Sequence, residues 1–391
     1  MNEDLKVDIV GKHLKNKSIA LCVTGGIAAI ETPKLARYLR RYGADVKAYM
    51  TKSAGNFIGE AALQWATEQK VISELSGDSE HICQEDLVLV APATMNTVNK
   101  VMQGIADNTV TTLIASALGM KKPVYLAPTM HESLYKNPFF QENIFKASQY
   151  GLNIIEPRIE EGKAKIPKLE KIVAEVCRGL SEHPIKGKKI LITGGPTPVW
   201  IDDVRMITNR FKGSLGKKIA VEAYLKGAVV KYLVGAGGIQ IPSFLEVLPH
   251  QDYDQYVENV FRELEQGYDA GIFSAAVADY RPAKKEKGKI PSGTLKNIEL
   301  IETEKVIEKI REKYPNLHMV TFKYQDGVSV DELLDITKAR LDKYQMIIAN
   351  RAEDMKENHE AYLVRKDSIE KVYSSSEIAE KLIDYLGAEL K

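Results

Sequence analysis

The chain has 391 residues, which is long enough for two domains that each bury a core. Its formal net charge of +1 and its 27% of charged residues give no indication of a nucleic-acid partner or a membrane partner. No apolar stretch reaches membrane-span length, the polar start is unlike a signal peptide, and the three cysteines form no CxxC pair, so we expect a cytoplasmic chain without disulfides.

The first half of the chain alternates between strand and helix patterns. Residues 1–17 predict a short helical lead-in. Apolar runs of strand length follow at 18–24, 44–50, 86–91 and 123–127. Helical spacing of apolar residues covers Thr32–Tyr42, and a closing helix is expected at 168–180. This alternation predicts a parallel, doubly wound sheet.

A polar stretch with Pro and Gly at residues 181–188 indicates a boundary between two domains, 1–183 and 184–391. The pattern then restarts, with strands predicted at 189–193, 228–234, 244–248, 269–275, 318–322 and 345–349, and helices at 214–226, 251–266, 303–313, 330–342 and 375–389. Residues 281–297, rich in Lys, Gly and Pro, predict a long mobile loop that closes over a ligand or is simply solvated. The predicted fold class is α/β, with two doubly wound, mostly parallel-sheet, Rossmann-like domains.

Each half opens with an apolar strand that ends in Thr-Gly-Gly, at Thr24–Gly26 and at 193–195. Glycines let backbone N–H groups approach an anion, and the start of a following helix adds a favourable dipole. Two such loops predict two sites for nucleotide-like ligands.

Three loops of the first half should meet at the carboxyl ends of its strands, where open α/β sheets bind ligands. They contain residues 24–27, 91–97 and 127–131. Residues 51–53 follow the second strand and add hydroxyl groups, and Asp107–Asn108 lie one helix beyond the second loop.

The segments 24–29, 92–97 and 104–108 resemble motifs of the flavin-dependent cysteine decarboxylase family. The resemblance implies a flavodoxin-like domain that binds FMN, usually in trimers with the flavin at a subunit interface. The FMN contacts that it implies are Thr24, Gly25, Gly26, Ser53, Thr94 and Asn108, and the substrate contacts are Asn96, Met130 and His131. His81 matches the family's active-site histidine, and an imidazole there exchanges protons near neutral pH.

Two features depart from that family's pattern. His131 stands where the family has asparagine in its Pro-x-Met-Asn motif, although histidine still donates a hydrogen bond to a carboxylate. The stretch 160–166 lacks the clamp cysteine of the coenzyme A branch. Either another group completes the redox cycle or this half has altered chemistry.

In the second half, residues 192–197, 203–209 and 275–281 resemble the phosphopantothenate–cysteine ligase family. Gly213 leads directly into a helix whose N-terminus favours phosphate. Asp279 ends a strand, where a carboxylate holds Mg²⁺ on a triphosphate or caps the next element. Lys289 neutralises the charge that develops on phosphate during nucleotidyl transfer.

By this resemblance Arg205 and Asn209 bind and polarise phosphopantothenate, with Asn209 and Lys289 as catalytic residues. The implied nucleotide-binding residues are Gly194, Gly195, Gly213, Ala275, Asp279, Phe322 and Lys289. Only the first lysine of the family's Lys-x-Lys-Lys run is present, and residues 302–305 replace its Lys-Asn-Pro-Asp segment.

The order of the halves is that of the bifunctional enzymes of coenzyme A biosynthesis. The resemblance implies that the second half joins 4′-phosphopantothenate to cysteine with CTP and Mg²⁺, and that the first half decarboxylates the product with FMN. It also implies a homo-oligomer with trimeric decarboxylase contacts and dimeric ligase contacts. Two alternatives remain: a nicotinamide-dependent oxidoreductase, although neither loop completes GxGxxG, and an active ligase whose first half binds flavin without catalysis. The sequence does not decide between CTP and ATP.

Overall fold

The computed structural model describes residues 5–293, 297–354 and 360–390. The chain divides into two compact units, Met1–Ser181 and Glu182–Lys391. Both are α/β units built around a largely parallel sheet, so the fold class predicted from the sequence is confirmed. In the described part of the chain no helix is long and apolar enough to cross a membrane.

The first unit alternates strands with helices on both faces of its sheet. Its strands are β1 (Ser18–Val23), β2 (Asp45–Met50), β3 (Leu87–Ala93), β4 (Val124–Pro128), β5 (Met130–His131), β6 (Leu152–Ile154), β7 (Arg158–Glu160) and β8 (Lys163–Lys165). Its helices are α1 (Thr32–Arg41), α2 (Glu60–Thr67), α3 (Met95–Met102), α4 (Thr109–Gly119), α5 (Glu132–Tyr135), α6 (Pro138–Ala147) and α7 (Leu169–Leu180).

The main sheet of the first unit has the order β2-β1-β3-β4-β6, and every neighbouring pair is parallel. All seven residues of β3 are buried, because helices cover the sheet on both faces. The strand order reverses between β1 and β3, and a crevice opens at the carboxyl ends of these two strands. This crevice is where the three loops predicted from the sequence lie.

A small three-stranded sheet, in the order β5-β8-β7, lies beside the main sheet. Glu161 and Gly162, both with positive φ, turn β7 back into β8, as expected of a tight hairpin. β8 pairs with β5, so that His131 lies opposite Lys163. The sequence did not predict these strands, because each has only two or three residues.

The second unit contains twelve strands and five helices among its described residues. The strands are β9 (Lys189–Gly194), β10 (Val199–Trp200), β11 (Met206–Ile207), β12 (Val229–Gly235), β13 (Glu246–His250), β14 (Ala270–Phe273), β15 (Tyr280–Pro282), β16 (Leu300–Glu302), β17 (His318–Gln325), β18 (Met346–Arg351), β19 (Ala361–Arg365) and β20 (Ser368–Val372). The helices are α8 (Ser214–Leu225), α9 (Tyr253–Leu264), α10 (Val306–Lys313), α11 (Val330–Lys338) and α12 (Ser375–Glu389).

The large sheet of the second unit has the order β13-β12-β9-β14-β17-β18-β19-β20. It is parallel from β13 to β18, and an antiparallel hairpin, β19–β20, extends its edge. The strand order reverses between β9 and β14, as in dinucleotide-binding folds, so the ligand crevice is expected beyond these two strands.

The predicted helical lead-in is wrong, and the predicted basic loop begins two residues later than expected. Residues 6–17 form turns and irregular chain rather than a helix, and residues 1–4 lie outside the described residues. Residues 280–282 form β15, which pairs with β16, so the basic stretch 281–297 does not begin as a loop. The backbone N–H groups of Gly288 and Ile290 are also held by Asp203 and Asp202. Residues 294–296 lie outside the described residues.

Candidate functional site

The glycine loop of the first unit is tied to the loop after β3 through one threonine side chain. Thr24 is buried, and its Oγ1 donates to the carbonyl of Pro92 at 2.7 Å. The same oxygen accepts from the backbone N–H of Thr94 at 3.2 Å. Thr94 then caps α3 by accepting from the N–H of Thr97. The ends of β1 and β3 are therefore fixed to each other.

Ser53, after β2, lies against the glycine loop. A Cβ built on Gly25 would lie 2.5 Å from Ser53 Oγ, so glycine is required there, whereas a Cβ on Gly26 meets only Thr94 at 3.6 Å. Within the described residues the backbone N–H groups of Gly25 and Gly26 donate to no acceptor. Unengaged N–H groups beside the hydroxyls of Ser53 and Thr94 fit the phosphate of a flavin mononucleotide.

Asn108 caps α4 at the same edge of the sheet. Its side chain accepts from the N–H groups of Val110 and Thr111, each at 3.1 Å. The next residue, Thr109, donates to the carbonyl of Met50 at 2.9 Å and so holds the helix start against the end of β2. The structure therefore brings together all six residues predicted to contact FMN.

The predicted substrate residues lie at the ends of β3 and β4. The N–H of Thr129 donates to the carbonyl of Ala93 at 3.0 Å, which places the segment with Met130 and His131 next to the loop with Asn96. Asn96 and His131 are exposed, and Met130 packs partly against the core. Nδ1 of His131 lies 2.9 Å from Oγ of Ser133 and 3.3 Å from its backbone nitrogen. Nδ1 is therefore engaged within the chain, and Nε2 is the ring nitrogen left for a substrate carboxylate.

The six residues predicted to contact FMN form what we call the cradle of the first unit. His81 lies at the opposite end of the sheet from this cradle. It is exposed and precedes β3 by several residues. The N–H of Cys83 donates to Ser116 near the C-terminal end of α4, whereas Asn108 is at the start of that helix. A strand as long as β3 spans roughly 20 Å. The structure therefore does not bring His81 to the cradle of its own chain.

No cysteine is placed to substitute for the missing clamp thiol. All three cysteines are buried, and none forms a disulfide. Burial and then the Glu85 carboxylate raise the pKa of Cys83 to about 11, and the same two causes raise the pKa of Cys22. Thiols in such surroundings stay protonated at neutral pH and are poor nucleophiles.

The cradle of the second unit is made of closely packed backbone. A Cβ built on Gly213 would lie 2.5 Å from the nitrogen of Gly195, and one on Gly216 would lie 3.3 Å from Cα of Gly194. Gly213 has φ 88° and precedes α8 without a side-chain cap, so no side chain of the N-cap residue satisfies the N–H groups of the first turn. The structure thus brings the three predicted phosphate-binding glycines together.

Asp202 holds Arg205, one of the two predicted substrate residues of this unit. Burial opposes its ionisation, but the N–H groups of Ile290, Val204 and Arg205 outweigh it and lower the pKa of Asp202 to about 2. Oδ1 accepts from the N–H groups of Val204 and Arg205, and Oδ2 accepts from that of Ile290 and pairs with the guanidinium of Arg205 at 2.7 Å. Arg205 also donates to the carbonyl of Ile290 at 3.2 Å. Lys289 is exposed and directly precedes Ile290 in the chain. The sequence did not predict a role for Asp202, although an acidic residue three positions before Arg205 indicates an ion pair between the two.

Asn209 joins the glycine loop to the end of β14. Its amide donates to the carbonyl of Ala276 at 2.9 Å, and the N–H of Ala276 donates to the carbonyl of Gly195 at 2.9 Å. The N–H of Ala275 lies 3.3 Å from Oγ1 of Thr193. Asn209 and Ala275 therefore lie at the same end of β9 and β14 as the cradle.

Asp279 is exposed and forms an ion pair with Lys305, a contact that the sequence did not predict. Phe322 lies further along, on β17, and is half-buried. The described residues contain no group of three or more His, Cys, Asp or Glu side chains that could hold a metal ion. This donor set fits Mg²⁺ only as an ion held largely by nucleotide phosphates and water, with one carboxylate from the protein.

The comparisons with known proteins agree with this division into two halves. A family model described as Flavoprotein matches residues 8–181, and one described as DNA/pantothenate metabolism flavoprotein C-terminal domain matches residues 185–389. The coenzyme A biosynthesis bifunctional protein CoaBC of Thermococcus kodakarensis is 37% identical over 387 residues, 95% of each chain. That of Methanocaldococcus jannaschii is 35% identical over 390 residues, which are 95% of this chain and 94% of the relative.

A solved structure, the DNA/pantothenate metabolism flavoprotein from Streptococcus pneumoniae, is 28% identical with a TM-score of 0.47. It covers 52% of this chain and 100% of its own. Because both halves match family models and the relatives match along nearly their whole length, this chain belongs to the family of coenzyme A biosynthesis bifunctional proteins, CoaBC.

Proposed function

We propose that this chain catalyses two successive steps of coenzyme A biosynthesis. Residues 184–391 ligate 4′-phosphopantothenate to cysteine with CTP, and residues 1–183 decarboxylate the resulting 4′-phosphopantothenoylcysteine to 4′-phosphopantetheine. The observation that supports this most is the pair of glycine cradles, each made of closely packed backbone at the point where its sheet reverses strand order. A nicotinamide enzyme and a non-catalytic first half are not favoured, because the relatives that match the whole chain are bifunctional.

In the ligase half, the phosphopantothenate carboxylate attacks the α-phosphorus of CTP and pyrophosphate leaves. The cysteine amine then attacks the acyl carbon, CMP leaves and the amine loses a proton. Gly194, Gly195 and Gly213 hold phosphate oxygens through their backbone. Arg205, oriented by Asp202, and Asn209 bind the substrate. The Lys289 ammonium offsets the negative charge that builds on phosphate during the first attack.

Asp279 would be the one protein ligand of a magnesium ion bound with the nucleotide, and its ion pair with Lys305 would then open. Lys305 remains beside the triphosphate, where its positive charge is favourable. The choice of CTP over ATP is part of the proposal and is tested by comparing the two nucleotides.

In the decarboxylase half, Thr24, Gly25, Gly26, Ser53, Thr94 and Asn108 hold FMN. Bound FMN supplies the two-electron oxidation of the cysteinyl carbon and sulfur, which labilises the carboxylate, and the return of those electrons to the product. Nε2–H of His131 and the amide of Asn96 orient the substrate carboxylate. His81 moves a proton at the substrate thiol. The three buried cysteines form no disulfide, which suits a reducing cytoplasm, where we place the enzyme.

The separation of His81 from its own cradle supports a site shared between copies of the chain. We place the cradle of one copy against His81 of another, in a homo-oligomer with trimeric decarboxylase contacts and dimeric ligase contacts. Apolar side chains near the cradle, Ile27 and Phe57, are exposed at 71% and 42% and suit such an interface.

Complementation tests this arrangement. His81→Asn removes the proton carrier, and Gly25→Ala disrupts the cradle, so each variant alone should release no CO₂. Refolded or co-expressed mixtures contain sites with an intact cradle from one variant and His81 from the other, and these should regain activity. Mixtures of one variant with itself are the control. If mixing restores nothing although both variants assemble with the parent chain, the shared site is wrong.

A further inference from the structure

His250 is a buried histidine at the carboxyl end of β13, the edge strand of the large sheet. The residue is 1% exposed, and within the described part of the chain neither ring nitrogen has a hydrogen-bond partner. A neutral imidazole carries one donor and one acceptor, and leaving both unmet in the interior is destabilising. An apolar side chain would avoid that cost, so packing does not explain a histidine here.

The glycine loop of the ligase half passes over the neighbouring strand. His250 pairs with Gly235 of β12. A Cβ built on Gly235 would lie 1.9 Å from the carbonyl oxygen of Pro196, so only glycine allows this carbonyl to cross the strand there. Pro196 directly follows Gly194 and Gly195. The cradle and the imidazole are therefore one strand apart.

Few polar groups face the ring. Burial, the largest effect, lowers the pKa of His250 to about 4, while the Pro196 carbonyl and the Asp252 carboxylate act in the opposite direction. Asp252 is already engaged, because it accepts from the N–H of Gln255 at 2.9 Å and from Nε1–H of Trp200 at 3.2 Å. Tyr256 is the other titratable residue against the ring, with centroids 5.1 Å apart. The neutral imidazole thus has the Pro196 carbonyl as its natural acceptor.

We propose that His250 is a positioning residue for the ligase glycine loop, and that its N–H donates to the Pro196 carbonyl when a nucleotide phosphate occupies the cradle. The inference rests on the proposed nucleotide site. A phosphate bound at the N–H of Gly195 pulls on the residue next to Pro196 and shifts the loop. In the empty loop the Pro196 carbonyl acts on the ring from nearby, but neither ring nitrogen has it as a hydrogen-bond partner. A small shift of the loop that completes this hydrogen bond therefore favours the occupied loop over the empty one.

A neutral hydrogen bond gained only in the bound state strengthens affinity roughly 2- to 10-fold. His250→Leu should weaken nucleotide binding by that factor. The same variant should melt at the parent's temperature or above it, because it removes a polar group that the empty protein leaves unmet. A histidine with a purely structural role gives the reverse, a lower melting temperature and unchanged affinity.

The experiment measures the Kd of the full chain for CTP with Mg²⁺ by calorimetry, in the parent, His250→Leu and His250→Gln. Gln keeps an N–H donor and should recover most of the affinity. His318→Leu is the matched control, because His318 also has an unpartnered ring nitrogen but lies at the amino end of β17. In parallel, the ¹⁵N-labelled imidazole of His250, identified among seven histidines by its loss in the Leu variant, should shift downfield when CTP is added.

Two results overturn the proposal: a His250→Leu variant that binds CTP as tightly as the parent, or an imidazole signal that does not move at saturating CTP. Both leave the ligase site itself intact, since the parent still binds nucleotide. If the parent binds neither CTP nor ATP, the proposed ligase site is wrong and the role of His250 falls with it.

Discussion

Replacing Gly213 by alanine should damage the ligase cradle while leaving the flavin half unaffected. Gly213 has φ 88°, and a Cβ there would lie 2.5 Å from the nitrogen of Gly195 and 2.9 Å from its Cα. Neither atom belongs to a flexible side chain, so the backbone of the loop must move. The movement displaces the N–H group of Gly195 that we expect to meet phosphate.

The expected magnitude separates into two parts. Alanine in left-handed backbone costs about 1–2 kcal/mol at any exposed position. Forcing a methyl group into packed backbone costs about 1–3 kcal/mol more. If the cost of packing the methyl group is paid in the nucleotide-bound state, nucleotide affinity falls roughly 5- to 150-fold.

Gly267→Ala is the matched control, because Gly267 has φ 74° but open space around its Cβ position. The assay is the Kd for CTP with Mg²⁺ on both full-length variants, with bound flavin measured in the same samples. Gly213→Ala should lose the stated affinity and Gly267→Ala should not, at equal flavin content. Equal nucleotide affinity in the two variants would refute the assignment of Gly213 to the phosphate cradle.

Three further outcomes are expected. Gly25→Ala should purify with little flavin, because the new Cβ would meet Ser53 below 3 Å. Gly59→Ala, where nothing lies within 4 Å of the new Cβ, should keep the parent's amount. Absorbance of the released cofactor measures both, and equal flavin contents contradict the cradle. Lys289→Ala should slow CTP-dependent pyrophosphate release about 100- to 1000-fold, and Lys287→Ala should leave the rate unchanged. A parent-like rate in Lys289→Ala would show that the Lys289 ammonium has no role in the ligase mechanism. Burial lowers the pKa of His250 to about 4, whereas an unperturbed histidine has a pKa of about 6.5, so the unfolded chain takes up this proton first as the pH falls. The free energy of unfolding should therefore decrease by about 3 kcal/mol as the pH falls from 6.5 to 4. Denaturant titrations of the parent and of His250→Leu should differ in that window, and identical pH profiles would show that His250 does not titrate as described.

Strong hydrophobic periodicity made the strands and helices of both sheets predictable. The run at 86–91 is apolar throughout, and the structure buries all of β3. The spacing over Thr32–Tyr42 gave α1, which ends at Arg41. Such strands and helices can be predicted from the sequence alone, because burial of a sheet face or of one side of a helix fixes the spacing of apolar residues.

Features that depend on contacts between distant residues were not predictable. The hairpin β7–β8 pairs with β5. Its strands have three residues each, which is too short to show the alternation of apolar and polar residues that identifies a strand. Asp202 holds Ile290, 88 positions away, and no local pattern reports such a bond. The position of His81 at the far end of the sheet also required the fold, since its sequence motif says nothing about which copy of the chain it serves.

The central claim is that one chain performs both reactions, and the products of the complete reaction test it most directly. The full-length protein is incubated with 4′-phosphopantothenate, cysteine, Mg²⁺ and either CTP or ATP, and the products are identified by mass spectrometry together with released CO₂ and pyrophosphate. The account predicts 4′-phosphopantetheine, with one CO₂ and one pyrophosphate for each molecule formed, and a preference for CTP. Accumulation of 4′-phosphopantothenoylcysteine without CO₂ by flavin-loaded protein would contradict the decarboxylase half, and no condensation with either nucleotide would contradict the ligase half.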